Sequence, residues 1–473
     1  MAHLRSAIFY ASAVALLPCG CAPPPRPARL PLQLPATFPA QSDDPAGSSA
    51  AGEGWRSVFG GGELQTLIEQ ALANNRDLRI AASRIEQAHA ALRAEQADSL
   101  PQLGGTIEMT KLGVPDDFAL LLRKHMITNY DALLQASWEI DLFGRLRSLR
   151  AAALEQYLAA AETRRAVATS LVAQLAEAYL ADRAYAERLT IARDALANRT
   201  LSLRLMVRRY ETGSGSKLEV TQAETLRDQA AAEIQTIELA RAQTLNAMAL
   251  LVGEPMPIAR FAGSLADVGL NRPIPAGLPS ELLVHRPDIL AAEHELRRAE
   301  ADIGAARAAF FPSISLTGAA GSTSQALDSL FTGGTGLWLF RPTITLPIFT
   351  GGKLRANLRG SEALRDEMLS TYEKAIQAAF RDVADALAAR HWLGDRIATA
   401  EQSLAALRER SRLARLRYEA GRSAYLEILD AERDRFTAEQ NLVELRRAWL
   451  ASGVALYAAL GGGFPEPEDQ GRR

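Results

Sequence analysis

Apolar and alanine positions at Leu78, Ala81, Ala82, Ile85, Ala88 and Leu92 recur at spacings of three and four, and the pattern stops at Pro101. That period marks one face of a helix, and a proline ends it by lacking a donor and clashing with the preceding turn. The same pattern returns at Leu290, Ala291, Ala292, Leu296 and Ala299, opened by His285-Arg286-Pro287-Asp288 and stopped at Pro312. After each proline the period changes from 3.6 to 2. Leu103, Gly105, Ile107 and Met109 alternate with Gly104, Thr106 and Glu108. Tyr130, Ala132, Leu134, Ala136, Trp138, Ile140 and Leu142 alternate with Asp131, Leu133, Gln135, Ser137, Glu139 and Asp141. In the second half Ile314, Leu316, Gly318 and Ala320 alternate with Ser313, Ser315 and Thr317, and Trp338 to Ile348 repeats the pattern against Arg341, Thr343, Thr345 and Pro347. These runs predict two strand hairpins, four strands in all.

Behind each hairpin the pattern becomes helical again and stays so. From Gly144 to Tyr210 there is no proline and no further glycine, which predicts a helix of 67 residues, roughly 100 Å long. Lys353 to Tyr418 predicts a second, with Gly360 and Gly394 as its weak points. Return helices follow over Leu218 to Leu251 and Leu426 to Leu460. The turns between outgoing and return helices match: Arg209-Tyr210-Glu211-Thr212-Gly213, Leu218-Glu219-Val220 and Ala223-Glu224 recur 208 residues later as Arg417-Tyr418-Glu419-Ala420-Gly421, Leu426-Glu427-Ile428 and Ala431-Glu432. Each is the tip of a long αα-hairpin. The chain reads as an internal tandem repeat.

A strand of about 10 residues crosses a bilayer when tilted. A four-stranded sheet cannot sit in lipid alone, because its edges leave backbone groups unpaired in hydrocarbon. Closure must come from other copies, and three chains would make a twelve-stranded barrel with a polar inner wall and room for an aqueous pore. Alanine-rich helices of such length must likewise project and pack side by side, within and between chains.

The N-terminus reads as a leader. Arg5 precedes an apolar run from Ala7 to Leu17, too short to span as a helix and suited to a secretory signal. Leu16-Leu17-Pro18-Cys19-Gly20-Cys21 resembles a bacterial lipobox. Gly20 favours Cys21 as the lipidated residue, with Cys19 the alternative and an unlipidated leader a third reading. The chain thus divides into a lipoprotein signal (1–20), a Pro/Ala/Ser-rich tether (21–62), a first repeat (63–270; hairpin about 102–142, tip 211–217), a second (271–464; hairpin about 313–349, tip 419–425) and a tail (465–473). A formal charge of −2 with 23% charged residues points away from nucleic acid. Cys19 and Cys21 are the only cysteines, so the body has no disulfide frame. The six histidines have no metal-ligand spacing, Gly333-Gly334-Thr335-Gly336 lacks a phosphate-binding lysine, and no nucleophile–base constellation appears. No enzyme, cofactor or metal is expected beyond the covalent lipid.

This succession, together with Ala73-Asn74-Asn75-Arg76-Asp77-Leu78, Arg286-Pro287-Asp288, Ala305 to Ile314, Ile344-Thr345-Leu346-Pro347-Ile348-Phe349 and the closing Ala459-Leu460-Gly461-Gly462, resembles the bacterial outer-membrane factors, TolC-like exit ducts of the OprM/NodT type. The resemblance covers the chain after the tether. It implies a mixed α and β membrane protein: a homotrimeric twelve-stranded transmembrane barrel, four strands per chain, continued by a long periplasmic helical barrel. It implies a passive exit duct for a tripartite efflux system, with a periplasmic adaptor and an inner-membrane pump, of RND type, as partners. The tips would form the closed periplasmic end. Leu426, Glu427 and Asp430, with Leu218 and Glu219 in the first repeat, occupy the positions of the gate, and Glu427 and Asp430 share a helix face. Threefold repetition would make carboxylate rings that attract cations. Arg417, Tyr418 and Gly421, with Arg209, Tyr210 and Gly213, would hold the tips together. A duct for type I protein secretion and a non-channel coiled-coil lipoprotein remain the alternatives.

Overall fold

A computed structural model of the chain describes residues 54–60, 62–113, 115, 125–255, 264–269 and 282–463. The leader, Cys19, Cys21, most of the 21–62 segment and the 465–473 tail lie outside the described residues. Two short helices, α1 (Trp55–Val58) and α2 (Gly62–Asn74), lead into α3 (Arg76–Ala97), β1 (Gln102–Gly113), β2 (Met126–Ile140), α4 (Arg145–Glu211) and α5 (Lys217–Val252). A one-turn α6 (Leu282–His285) then precedes α7 (Pro287–Ala308), β3 (Ser313–Ser324), β4 (Gly336–Thr345), α8 (Lys353–Glu419) and α9 (Tyr425–Ala459). Both outgoing helices, α4 and α8, run for 67 residues. Trp55, Val58 and Phe59 are buried in the main core with Leu67 and Ile68 of α2, Leu175 and Leu180 of α4, and Val454 and Tyr457 of α9. The folded body therefore begins before position 62: Trp55 and Phe59 are buried in this core, and the Phe59 ring lies 5.1 Å from that of Tyr457 of α9.

The four strands form one antiparallel sheet in the order β1-β2-β3-β4. They outrun the alternation legible in sequence at β1 and β2, which are 12 and 15 residues long. At β4 they fall short of it: the strand ends at Thr345, before Pro347, which cannot donate to a ladder. Pro342 lies within β4, an edge strand of this sheet. Paired residues share a face, so the register assigns both faces. One carries Leu103, Ile107 and Met109, then Leu134 and Trp138, Ile314 and Leu316, and Trp338, Phe340 and Ile344. The other carries Thr106, Glu108, Asp131, Gln135, Glu139, Ser315, Thr317, Arg341 and Thr343, interrupted by Leu133, Leu337 and Leu339. The apolar face is uncovered: Ile107 is 83% exposed and Trp338 78%. Each such side chain left in water forgoes about 1.5–3 kcal/mol, so this face requires a non-aqueous neighbour.

Away from the sheet, α8 packs on α9, α9 on α4 and α4 on α5, so the long helices form a layer ending in α5 and α8. Arg188 of α4 ties three of them, reaching Glu233 of α5 at 3.0 Å and Gln440 of α9 at 2.7 Å. Arg241 of α5 pairs with the fully buried Asp182 of α4 at 2.7 Å.

Each return helix abuts the first helix of a repeat. At one joint Asn75 caps α3, accepting from the N–H groups of Asp77 and Leu78 while its amide donates to Leu251 O at 2.8 Å. At the other, Arg286 donates to Ala459 O at 2.9 Å and grips Asp288 and Asp382. Orphan carbonyls at one helix end thus meet donors from the next, with the helix dipoles head to tail. The close approach needs glycine. A Cβ on Gly253 would lie 2.7 Å from Asn74 O, and one on Gly461 would lie 2.8 Å from His285 O. Asn75→Ala should cost about 1–2 kcal/mol through the lost cap, read as a lowered midpoint of thermal unfolding in detergent; an unchanged midpoint would contradict this account of the joint.

Candidate functional site

The two tips are built by one device. Residue Gly213 follows α4 with φ 74°, and Gly421 follows α8 with φ 71°. In the first, Ser214 N–H returns to Arg209 O and Gly213 N–H to Tyr210 O; in the second, Arg422 N–H returns to Arg417 O and Gly421 N–H to Tyr418 O. This double bond pattern closes a helix when the residue after the cap is left-handed, which glycine adopts without a Cβ penalty. The first tip then restarts with a capping box. Ser216 Oγ accepts from Glu219 N, and Ser216 N–H donates to Glu219 Oε2 at 3.0 Å. The Ser-x-x-Glu spacing of Ser216 and Glu219 was a sequence signal for this turn, and it gives Glu219 a structural partner. The second tip has no side-chain cap at Ala424.

Leu203 and Met206 of α4, Val220 and Ala223 of α5, and Tyr425 and Leu429 of α9 are buried together and join the tips within the chain. Tyr418 bridges them. Arg209 donates to its hydroxyl and lies 5.3 Å from its ring centroid, and the hydroxyl donates to Met206 Sδ at 3.7 Å. Burial pushes the Tyr418 phenol above its ordinary pKa, opposed by Arg209, so it stays a donor at neutral pH. Its ring also lies 5.4 Å from that of Tyr425. Lys217 stands over Tyr210 at 5.9 Å.

The carboxylates read as gate residues are engaged within the chain. Glu427 meets Arg417 at 3.8 Å and Asp430 meets Arg433 at 3.3 Å. These pairs are largely exposed, so each contributes little to stability and leaves its carboxylate open to solvent ions. Leu218 and Leu426 are exposed, whereas Leu429, one helical turn after Leu426, faces the tip core.

Above the tips, a cavity of 410 Å³ runs between α4 and α8 over α9, lined by Asp194, Arg199, Arg408, Arg415, Glu432 and Arg435 among others. Sequence reasoning missed this groove, since its walls come from four separate helices. Arg199 lies within it, donating to Leu226 O at 2.9 Å and stacking on Phe436. Burial lowers its pKa, opposed by Glu432. Among the described residues there is no cluster of three or more metal-ligating side chains, and no helix is long and apolar enough to cross a membrane.

The family model for outer membrane efflux proteins matches the chain over residues 67–254 and again over 278–462. The toluene efflux pump outer membrane protein TtgF of Pseudomonas putida is 43% identical over 419 residues, covering 88% of this chain and 86% of that protein. The cation efflux system protein CusC of Escherichia coli is 38% identical, covering 96% of this chain and 98% of that one. Among solved structures, the open state of the Neisseria gonorrhoeae MtrE outer membrane channel superposes with a TM-score of 0.81 at 38% identity, covering 91% of this chain and 96% of that one. The chain belongs to the outer membrane efflux protein family: it is an outer-membrane transport channel and not an enzyme.

Removing the Arg209–Tyr418 contact should loosen the tips, by about 1 kcal/mol for a bond to a charged donor that is partly exposed. Arg209→Ala and Tyr418→Phe are each expected to raise single-channel conductance in planar bilayers. Conductance equal to that of the parent protein in both variants would exclude the contact from control of the tips.

Proposed function

We propose that this protein is the exit duct of a tripartite efflux system, carrying solutes passively from an inner-membrane pump and a periplasmic adaptor to the outside of the cell. The observation that carries the reading is the sheet, which has an uncovered apolar face, a polar face with Glu108, Asp131, Glu139 and Arg341, and two open edges, β1 and β4. In hydrocarbon each unpaired edge group costs several kcal/mol. Pairing β4 of one copy with β1 of the next removes that cost, and three copies of four strands make twelve. The polar face then lines a pore, and the layered helices, closing through α5 and α8, continue it as a tube. The like order of elements in the two halves agrees with a tandem duplication. Lipid on Cys21 would hold the N-terminus at the membrane.

On this reading the tips are the closed inner end, where Glu427 and Asp430 would stand in rings of three with Leu426, alongside Leu218 and Glu219 of the first repeat. The groove above them, lined by Arg199, Arg408 and Arg415 together with Glu432, gives the adaptor a charged surface. An RND-type pump fits the relatives, which are named for export of toluene and of cations. The cargo of this chain is assigned only as small solutes chosen by the pump.

Protein extracted in detergent should run as a trimer and conduct ions with a preference for cations. Asp430→Ala should raise conductance or weaken that preference, and unchanged conductance and selectivity would remove Asp430 from the gate. Mass spectrometry of the mature N-terminus should find an acylated Cys21; an acylated Cys19 or a free N-terminus would reject that assignment.

A further inference from the structure

The polar face of the sheet has an apolar interruption, and the register gives it a shape. On that face β3 contributes Thr317, Ala319, Gly321 and Thr323. Thr317 stands between Ser137 of β2 and Arg341 of β4, Ala319 between Gln135 and Leu339, and Gly321 between Leu133 and Leu337, while Thr323 stands beside Asp131. The two middle rungs form a trough. Its walls are Leu133 on β2 and Leu337 with Leu339 on β4; its floor is Ala319 and Gly321. The floor stays bare at Gly321, because a Cβ there would strike Ala132 O. The walls rise from strands two spacings apart, about 10 Å, and the rungs follow one another at about 7 Å along β3, a space that suits one flat ring or a short chain. Leu337 is 43% exposed and Leu339 40%, so both walls are open to an occupant.

The two ends of the trough differ in charge. At one end Asp131 lies directly opposite Glu108 of β1. Like charges facing each other across a ladder work against the sheet, and among the described residues no basic side chain pairs with either carboxylate. Asn129 orients Asp131, its amide donating to both carboxylate oxygens at 2.8 Å, but it brings no charge. Glu139, the third acid of this face, is by contrast paired with Arg145 at 2.7 Å. At the other end stands Arg341, the only cation that the described strand residues place on this face.

We infer that the trough is a subsite for small amphiphilic cations, with an apolar body between Leu133 and the Leu337–Leu339 wall and one cationic group at the Asp131–Glu108 end. The inference rests on the proposed pore, of which this face is the wall, and adds a class of cargo and the residues that meet it. The carboxylates attract the cationic end and Arg341 repels it. Since β3 leaves α7 at Ser313 and reaches Thr323 at its far end, the bound molecule carries its charge away from the helices, in the direction of export. An open trough holds a solute briefly, and a duct needs attraction strong enough for entry and weak enough for release.

Cysteine protection in protein reconstituted into lipid bilayers tests it. Leu339→Cys should react with iodoacetamide, read by mass on the labelled peptide, whereas Phe340→Cys, on the apolar face, should not. Benzyltrimethylammonium should slow the Leu339→Cys reaction several-fold, with Leu133 and Leu337 still in place. Tetramethylammonium, which lacks the apolar body, and benzyl alcohol, which lacks the charge, should leave the rate unchanged at the same concentration. Adding Glu108→Gln and Asp131→Asn should abolish the protection, and because this pair of changes removes a repulsion it does not weaken the sheet. Equal protection by tetramethylammonium or by benzyl alcohol would overturn the subsite, as would protection that survives Glu108→Gln with Asp131→Asn, or no protection at all; each of these leaves the pore intact. Reaction at Phe340→Cys and not at Leu339→Cys would instead remove this face from the pore wall.

Discussion

Backbone hydrogen bonding at the sheet edges is the constraint on which the rest of the molecule depends. Four antiparallel strands satisfy one another's N–H and C=O groups everywhere except along the outer flanks of β1 and β4. In water such flanks are an aggregation hazard; in hydrocarbon they are not tolerated. The register places Leu103, Ile107, Leu134, Trp338 and Phe340 on one face, so the sheet belongs beside lipid, and its edges must then find partners. The helical layer, bounded by α5 and α8, is open-ended as the sheet is open-edged.

Below the sheet, two joints add to the main core in fixing the helices. Each return helix ends against the first helix of a repeat, and the contact is a capped, glycine-mediated abutment at Asn75 with Gly253 and at Arg286 with Gly461. The two joints solve one geometric task with different chemistry. A neutral amide serves the first; the second uses a buried guanidinium that also holds Asp382 of α8. The motifs Asn74-Asn75-Arg76-Asp77 and Arg286-Pro287-Asp288 have a structural duty here. Lower down, Arg188 links α4 to both α5 and α9, and Arg209 with Tyr418 links the tips. The groove lies between these two ties.

Much of the fold was legible because its elements are long and strongly periodic. Both 67-residue helices, both hairpins and both glycine tips follow from period, proline and glycine alone. Strand limits were less legible. Around Lys111 and Ile127 the apolar alternation weakens, and pairing across the hairpin extends the strands there instead. That regular structure begins near Trp55 was legible in the sequence, but that Trp55 and Phe59 are core residues was not, since only packing with residues such as Tyr457 of α9 buries them. At the tips, the family resemblance drew attention to Arg417, Tyr418, Arg209, Glu427 and Asp430, but the sequence did not show which of them meet: Arg209 donates to Tyr418 across 209 positions.

By itself the sequence determined what is local and periodic: helices where apolar residues recur at three and four, strands where they alternate, turns where glycine permits a left-handed residue, and a second half that repeats the programme of the first. Only the tertiary structure decided which partners meet. It set the strand order and register that sort side chains onto two faces, the abutment of α5 on α3 and of α9 on α7, and the pairing of the acidic tip residues with arginines. It also set the order of the helical layer that leaves α5 and α8 outermost. Periodicity is a property of neighbouring residues and can be read from one chain, whereas the choice among distant partners depends on shape and on donor and acceptor positions that exist only once the helices have packed.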